Sequence, residues 1–288
     1  MDTTWPWISL TLFAACMFLY VLSPFVALVK LGPQELLNHL GAVTALGEVV
    51  TMGLIPIAVV VALRGPLRRE LHLRRPRAGL LIVLIPIVIV WPVTTQLMSQ
   101  YLGTYFPPDA GHNALFEKLL TWHTPGQAAI VILQIALVPA VCEELLFRGL
   151  FLSGLRRLIG DWPAVIIVGT VFASIHVVPL VITAPGAAVG MMIPLTILGL
   201  CLTILTVRTG TLIYASILHF ANNLLALVMA NHASDAFVET WMSDGVALAV
   251  LTPIALVLLV AWLRLARRYP DPIRAASASE RVLCFRSA

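Results

Sequence analysis

Apolar residues run in long blocks along this chain, and polar residues gather in the short stretches between them. Eight blocks approach or exceed the roughly 20 residues that a bilayer-spanning helix needs. They are Trp5 to Val29, Ala42 to Leu63, Leu80 to Tyr101, Ala128 to Leu152, Pro163 to Thr183, Met191 to Val207, Thr211 to Ala230 and Val246 to Leu263. The pattern predicts an all-α, polytopic integral membrane protein of about eight transmembrane helices. A single transmembrane domain is expected over residues 1–268, with a polar cytoplasmic tail at 269–288. The first block is too long for a signal-peptide core and has no basic stretch before it, so it is read as retained.

Composition sharpens this picture. Of the 288 residues, 60% are hydrophobic and only 11% are charged, against about 25% charged in soluble domains. That balance excludes an ordinary soluble enzyme, a disordered chain and a nucleic-acid-binding domain. The net charge of +4 reflects where the basic residues lie. Arg64, Arg68, Arg69, Arg74, Arg75 and Arg77 follow the second block, Arg156 and Arg157 the fourth, Arg208 the sixth, and six more arginines the eighth. With Arg148, 16 of the 18 Lys and Arg residues fall on one side of an eight-span chain, leaving only Lys30 and Lys118 opposite. The positive-inside rule then places both termini in the cytoplasm of a cell inner membrane or its equivalent, with membrane lipids as partners and no nucleic acid. Three of the four cysteines lie in apolar runs, without metal-type spacing or a disulfide framework.

Ionisable groups inside a bilayer are costly and mark function or pairing. Glu48, Glu143, Glu144, His176 and His219 lie within the blocks, and Arg148 sits near the inner end of the fourth. Counted from the inner helix ends, Glu143, His176 and His219 fall at depths of roughly 12 to 20 Å, one common layer. Glu144 and Arg148 are at i, i+4 and are expected to pair, while Glu143 points about 100° away. Phe172 is placed to wall the His176 ring, and Asn223 shares a face with His219. Pro139 removes a helical hydrogen bond just before the glutamates. Glu48 is read as near the outer end of the second block, in an interfacial or structural role. Trp5, Trp7, Trp122 and Trp241 are expected as interfacial anchors, and Thr94, Thr95 and Gln96 as cavity-lining residues.

A glutamate with a neighbouring histidine can activate water, and a histidine beside an asparagine can stabilise an oxyanion. Attack of water on an amide carbonyl uses all of these parts. No His-Glu-x-x-His, no Asp within a block and no Gly-x-Ser-x-Gly is present to support other proteolytic routes. A proton-coupled transporter is disfavoured because the polar groups form one layer and not a path.

Three short motifs carry a family resemblance. Glu143-Glu144-Leu145-Leu146-Phe147-Arg148, Phe172-Ala173-Ser174-Ile175-His176 and His219-Phe220-Ala221-Asn222-Asn223 resemble, in order, the Glu-Glu-x-x-x-Arg, Phe-x-x-x-His and His-x-x-x-Asn motifs of the CPBP intramembrane proteases. These are the CAAX-protease and bacteriocin-processing, or Abi, enzymes, and eight spans are similar to their prenyl-protein endopeptidase branch. The resemblance covers about residues 125–230, the expected catalytic core. It implies an intramembrane endopeptidase that cleaves a membrane-associated or prenylated (CAAX-type) peptide. By the same resemblance Glu143 and His176 activate the water, His219 and Asn223 form the oxyanion hole, and Glu144, Arg148 and Phe172 support them. No cofactor is favoured, although Glu143, His176 and His219 would also make a reasonable zinc set. A non-catalytic immunity or peptide-binding scaffold protein is the alternative.

Overall fold

The computed structural model of the protein describes residues 4–107, 117–232 and 245–267. The expected 269–288 tail and Trp241 lie outside them. Every long apolar block is helical: α1 is Trp5–Leu31, α2 Pro33–Ala62, α3 Ala78–Tyr105, α4 Pro125–Ile159, α5 Asp161–Thr183, α6 Pro185–Thr209, α7 Ile213–His232 and α8 Val246–Arg267. Among the described residues seven of these are long and apolar enough to cross a membrane. The eighth, α5, carries the described apolar stretch Asp161–Val177. The chain is therefore an all-α polytopic membrane protein, and the apolar blocks marked the helices correctly. Their lipid-facing sides stay apolar, with Phe18, Val29, Ile82 and Val257 among many exposed hydrophobic residues.

Several helices extend beyond their apolar blocks, α2 and α4 among them. α2 begins at Pro33, because the polar stretch 33–41 carries a proline at the first helical turn and continues as helix. Glu48 therefore lies in the middle of α2 and is buried, which corrects the expectation of an interfacial position at the outer end. α4 runs on to Ile159. Both contain π-helical turns, at Val49–Leu54 in α2 and at Ile132–Leu137 and Leu145–Phe151 in α4. Such turns are frequent at functional sites.

Glycines let helices touch backbone to backbone. A Cβ on Gly199 of α6 would stand 2.6 Å from the Gly169 carbonyl oxygen of α5. This contact sets the α5/α6 pair that flanks α4.

The arginine-rich segment between α2 and α3 packs against the bundle. One helical turn, Leu67–Glu70, leads into a strap across the ends of α4 and α7. Glu70 pairs with Arg157 at 2.6 Å, Leu212 N donates to the His72 carbonyl, and Thr211 Oγ1 donates to the Arg74 carbonyl. Leu71 and His72 are fully buried, and Gly149 of α4 admits them, since a Cβ there would stand 3.2 Å from Leu71 O. Trp5 is buried at the same end, its Nε1 donating to Ser153 Oγ. It packs the helix floor and does not serve as the expected interfacial anchor.

Burial, with the Arg156 and Arg74 charges beside it, pushes the His72 imidazole down to about 3. The unfolded chain takes up this proton near the ordinary value of about 6.5. The contribution of neutral His72 is complete above about pH 6.5 and is lost as pH falls toward about 3, where the folded state also protonates. Unfolding in detergent should therefore show stability falling with a slope of up to about 1.4 kcal/mol per pH unit below pH 6.5. In His72→Asn, which tolerates the left-handed backbone at φ 50°, that slope should shrink.

Candidate active site

α4 supplies the centre of the site. Its short α-helical segment Val138–Glu144, bracketed by π turns, carries Glu143 and Glu144 side by side on different faces. Both carboxylates are buried, and α5 and α7 bring histidines to them. His176 Nε2 lies 3.7 Å from Glu143 Oε1, and His219 Nε2 lies 3.8 Å from Glu143 Oε2. These separations exceed a direct hydrogen bond and suit a bridged contact.

The other ring nitrogens are fixed. His176 Nδ1 lies 2.8 Å from its own helix carbonyl at Phe172, and His219 Nδ1 lies 3.0 Å from Glu144 Oε1. With an Nδ1 proton donated at each contact, both Nε2 atoms face Glu143.

Glu144 is itself held by Arg148, which donates to Oε1 at 2.8 Å with both side chains fully buried. Arg148 also donates to Thr203 Oγ1 and to the Gly199 carbonyl, so α6 takes part in the clamp. Its guanidinium stands 4.3 Å from the Phe172 ring centre. The same ring lies 4.8 Å from the His176 ring and 5.6 Å from the His219 ring. Phe172 thus packs both histidine rings and the Arg148 guanidinium.

Asn223 sits one turn beyond His219 on α7. Its Nδ2 donates to the Ile135 carbonyl at 3.4 Å, the carbonyl that Pro139 deprives of its usual α-helical donor. A second hydrogen remains on that amide nitrogen. Asn222 is tied to α3, where Thr95 Oγ1 donates to Asn222 Oδ1 at 2.6 Å.

Glu143, Phe172, His176, His219 and Asn223 line one cavity of about 800 Å³, while Glu144 and Arg148 lie behind its wall. The cavity extends from the Glu143 layer past Pro139 and Gln134 on α4 and along α7 to Ala230, toward the helix ends away from the arginine-rich strap. On the strap side α4 is buried from Leu145 to Leu155, which forms a closed floor. Thr95 and Gln96 line the cavity as expected; Thr94 does not, its hydroxyl donating back to Val90 O.

Four contributors escaped sequence reasoning. Glu48 and Tyr20 both line the cavity, with Tyr20 Oη donating to Glu48 Oε1 at 3.4 Å. Thr203 and the Gly199 carbonyl receive Arg148. The charge of Glu48 in mid-helix was the available signal for the first pair. Nothing in local spacing signals the second. Among the described residues, no three His, Cys, Asp or Glu side chains form a group that could hold a metal ion.

Residues 125–225 match the family described as Type II CAAX prenyl endopeptidase Rce1-like. That segment covers about a third of the chain and contains all seven motif residues from Glu143 to Asn223. The match is consistent with the CPBP/CAAX-type resemblance that the three motifs carry. No curated protein and no solved structure gives a significant match to the chain.

Proposed function

We propose that this protein is an intramembrane endopeptidase of the metal-free glutamate type, cleaving a peptide bond in a membrane-associated or prenylated substrate. The observation that carries this reading is the convergence of His176 Nε2 and His219 Nε2 on the Glu143 carboxylate inside a roomy cavity. Water placed between Glu143 and His176 would donate one hydrogen bond to each acceptor. Glu143 takes a proton as the water oxygen attacks the scissile carbonyl. The oxyanion is met by His219 Nε2–H and the second Asn223 Nδ2–H. For that donation the His219 ring carries both protons, with Nδ1–H held by Glu144. Collapse breaks the C–N bond as Glu143 returns its proton to the leaving amine.

The arginine-rich end, including the strap, is proposed to face the cytoplasm together with both termini. Substrate would then reach the Glu143 layer from the opposite end of the cavity or from the lipid. Asn223→Ala should lower kcat about 10²- to 10³-fold with little change in KM, because the lost donor acts on the transition state.

The proposal is tested by reconstituting the full chain in liposomes with farnesylated and unmodified membrane peptides. Products are identified by mass spectrometry, before and after treatment with a strong zinc chelator. Cleavage that survives chelation is expected. Cleavage abolished by the chelator and restored by zinc would overturn the metal-free mechanism.

A further inference from the structure

Glu48 belongs to the cavity and takes no part in the chemistry just described. It is the last α-helical residue of α2 before the π turn, 3% exposed, on the cavity shared with Glu143. Two close approaches hold it there. A Cβ on Gly47 would stand 2.8 Å from Ser23 Oγ, so α1 touches α2 and brings Tyr20 to Glu48 Oε1. A Cβ on Gly53 would stand 3.3 Å from Cys142 Sγ, so α2 also lies against α4 beside Glu143. Glu48 Oε2 is buried and makes no hydrogen bond among the described residues.

Among the described residues, the cavity's histidines are turned to Glu143 and not to Glu48. No Lys or Arg lines the cavity, and Arg148 is committed to Glu144, Thr203 and Gly199. A buried carboxyl oxygen left without a partner in a membrane interior calls for one. A cationic group that enters would gain a charge-assisted hydrogen bond in a low-dielectric setting. The neutral side chains of Gln96, Ser99 and Gln100 along the same cavity are suited to a peptide backbone and cannot supply that charge.

We propose that Glu48, positioned by Tyr20, is a binding subsite for a basic side chain, Lys or Arg, close to the scissile bond of the substrate. This rests on the peptidase reading and adds a specificity to it. An apolar membrane peptide carrying one Lys would then be preferred over the same peptide with norleucine, which has similar length and no charge.

The test uses the full chain in detergent and fluorescent 20-residue apolar peptides with Lys, norleucine or Glu at each central position in turn. Binding is read by anisotropy on the Glu143→Gln protein, where turnover does not interfere, and cleavage is read on the unsubstituted protein. At one position Lys should bind about tenfold tighter than norleucine, with Glu weakest. Adding Glu48→Gln should bring the Lys/norleucine ratio to about one, whereas Glu48→Asp should keep a preference for Lys. Equal binding of all three peptides at every position overturns the subsite even if Glu48→Gln fails to fold. So does a ratio that Glu48→Gln leaves unchanged in folded protein. A Lys preference in binding with no peptide ever cleaved would sink the peptidase reading and leave the subsite standing. Equal cleavage and equal binding of Lys and norleucine peptides would do the reverse.

Discussion

Replacing Glu143 by Gln is expected to lower the rate of peptide hydrolysis about 10³-fold while the fold stays intact. The side chain is nearly isosteric, and Glu143 makes no ion pair with Arg148; its neighbours are the Nε2 atoms of His176 and His219 at 3.7 and 3.8 Å. An amide there cannot take the proton of an attacking water, and His176 alone would lack the carboxylate beside it. Thermal unfolding of the purified variant should match that of the unsubstituted protein. Full activity in folded Glu143→Gln would move the base to another group.

The largest loss of stability is expected from Arg148→Met. Arg148 and Glu144 are fully buried, and the guanidinium also serves Thr203, Gly199 and the face of Phe172. Methionine leaves Glu144 as a buried charge with only His219 against it. Breaking one side of such a pair costs about 3 to 5 kcal/mol. Equilibrium unfolding in mixed micelles should show a loss of this size. The double change Glu144→Gln with Arg148→Met should recover much of it by removing both charges. Activity should stay low in the double variant, because His219 then lacks its orienting carboxylate. Recovery of activity together with stability would mean that Glu144 does not position His219.

Much of this was legible in the sequence because membrane helices state themselves in long apolar runs and leave their polar exceptions visible. Glu143, Glu144, Arg148, His176 and His219 stood out as costly groups, and i, i+4 spacing singled out Asn223 and anticipated the Glu144–Arg148 contact. The contact between His219 and Glu144 was not legible, since it joins α7 to α4 and depends on how the helices rotate against each other. Glu48 was misread for a different reason. The polar stretch 33–41 has the composition of a loop and the conformation of a helix, so the start of α2 was placed nine residues late. Trp5 had the composition of an anchor but found a buried partner in Ser153. The strap was read only as a topology signal, because a run of arginines does not reveal that Leu71 and His72 between them are buried against Gly149.

The most direct measurement is a survey of new protein N-termini in host membranes, comparing cells that carry the unsubstituted protein with cells that carry Glu143→Gln at equal expression. New termini within or beside apolar segments, present only with the unsubstituted protein, are the expected result. Identical termini in both, with any cellular phenotype rescued equally by the two forms, would contradict proteolysis and favour a non-catalytic peptide-binding protein.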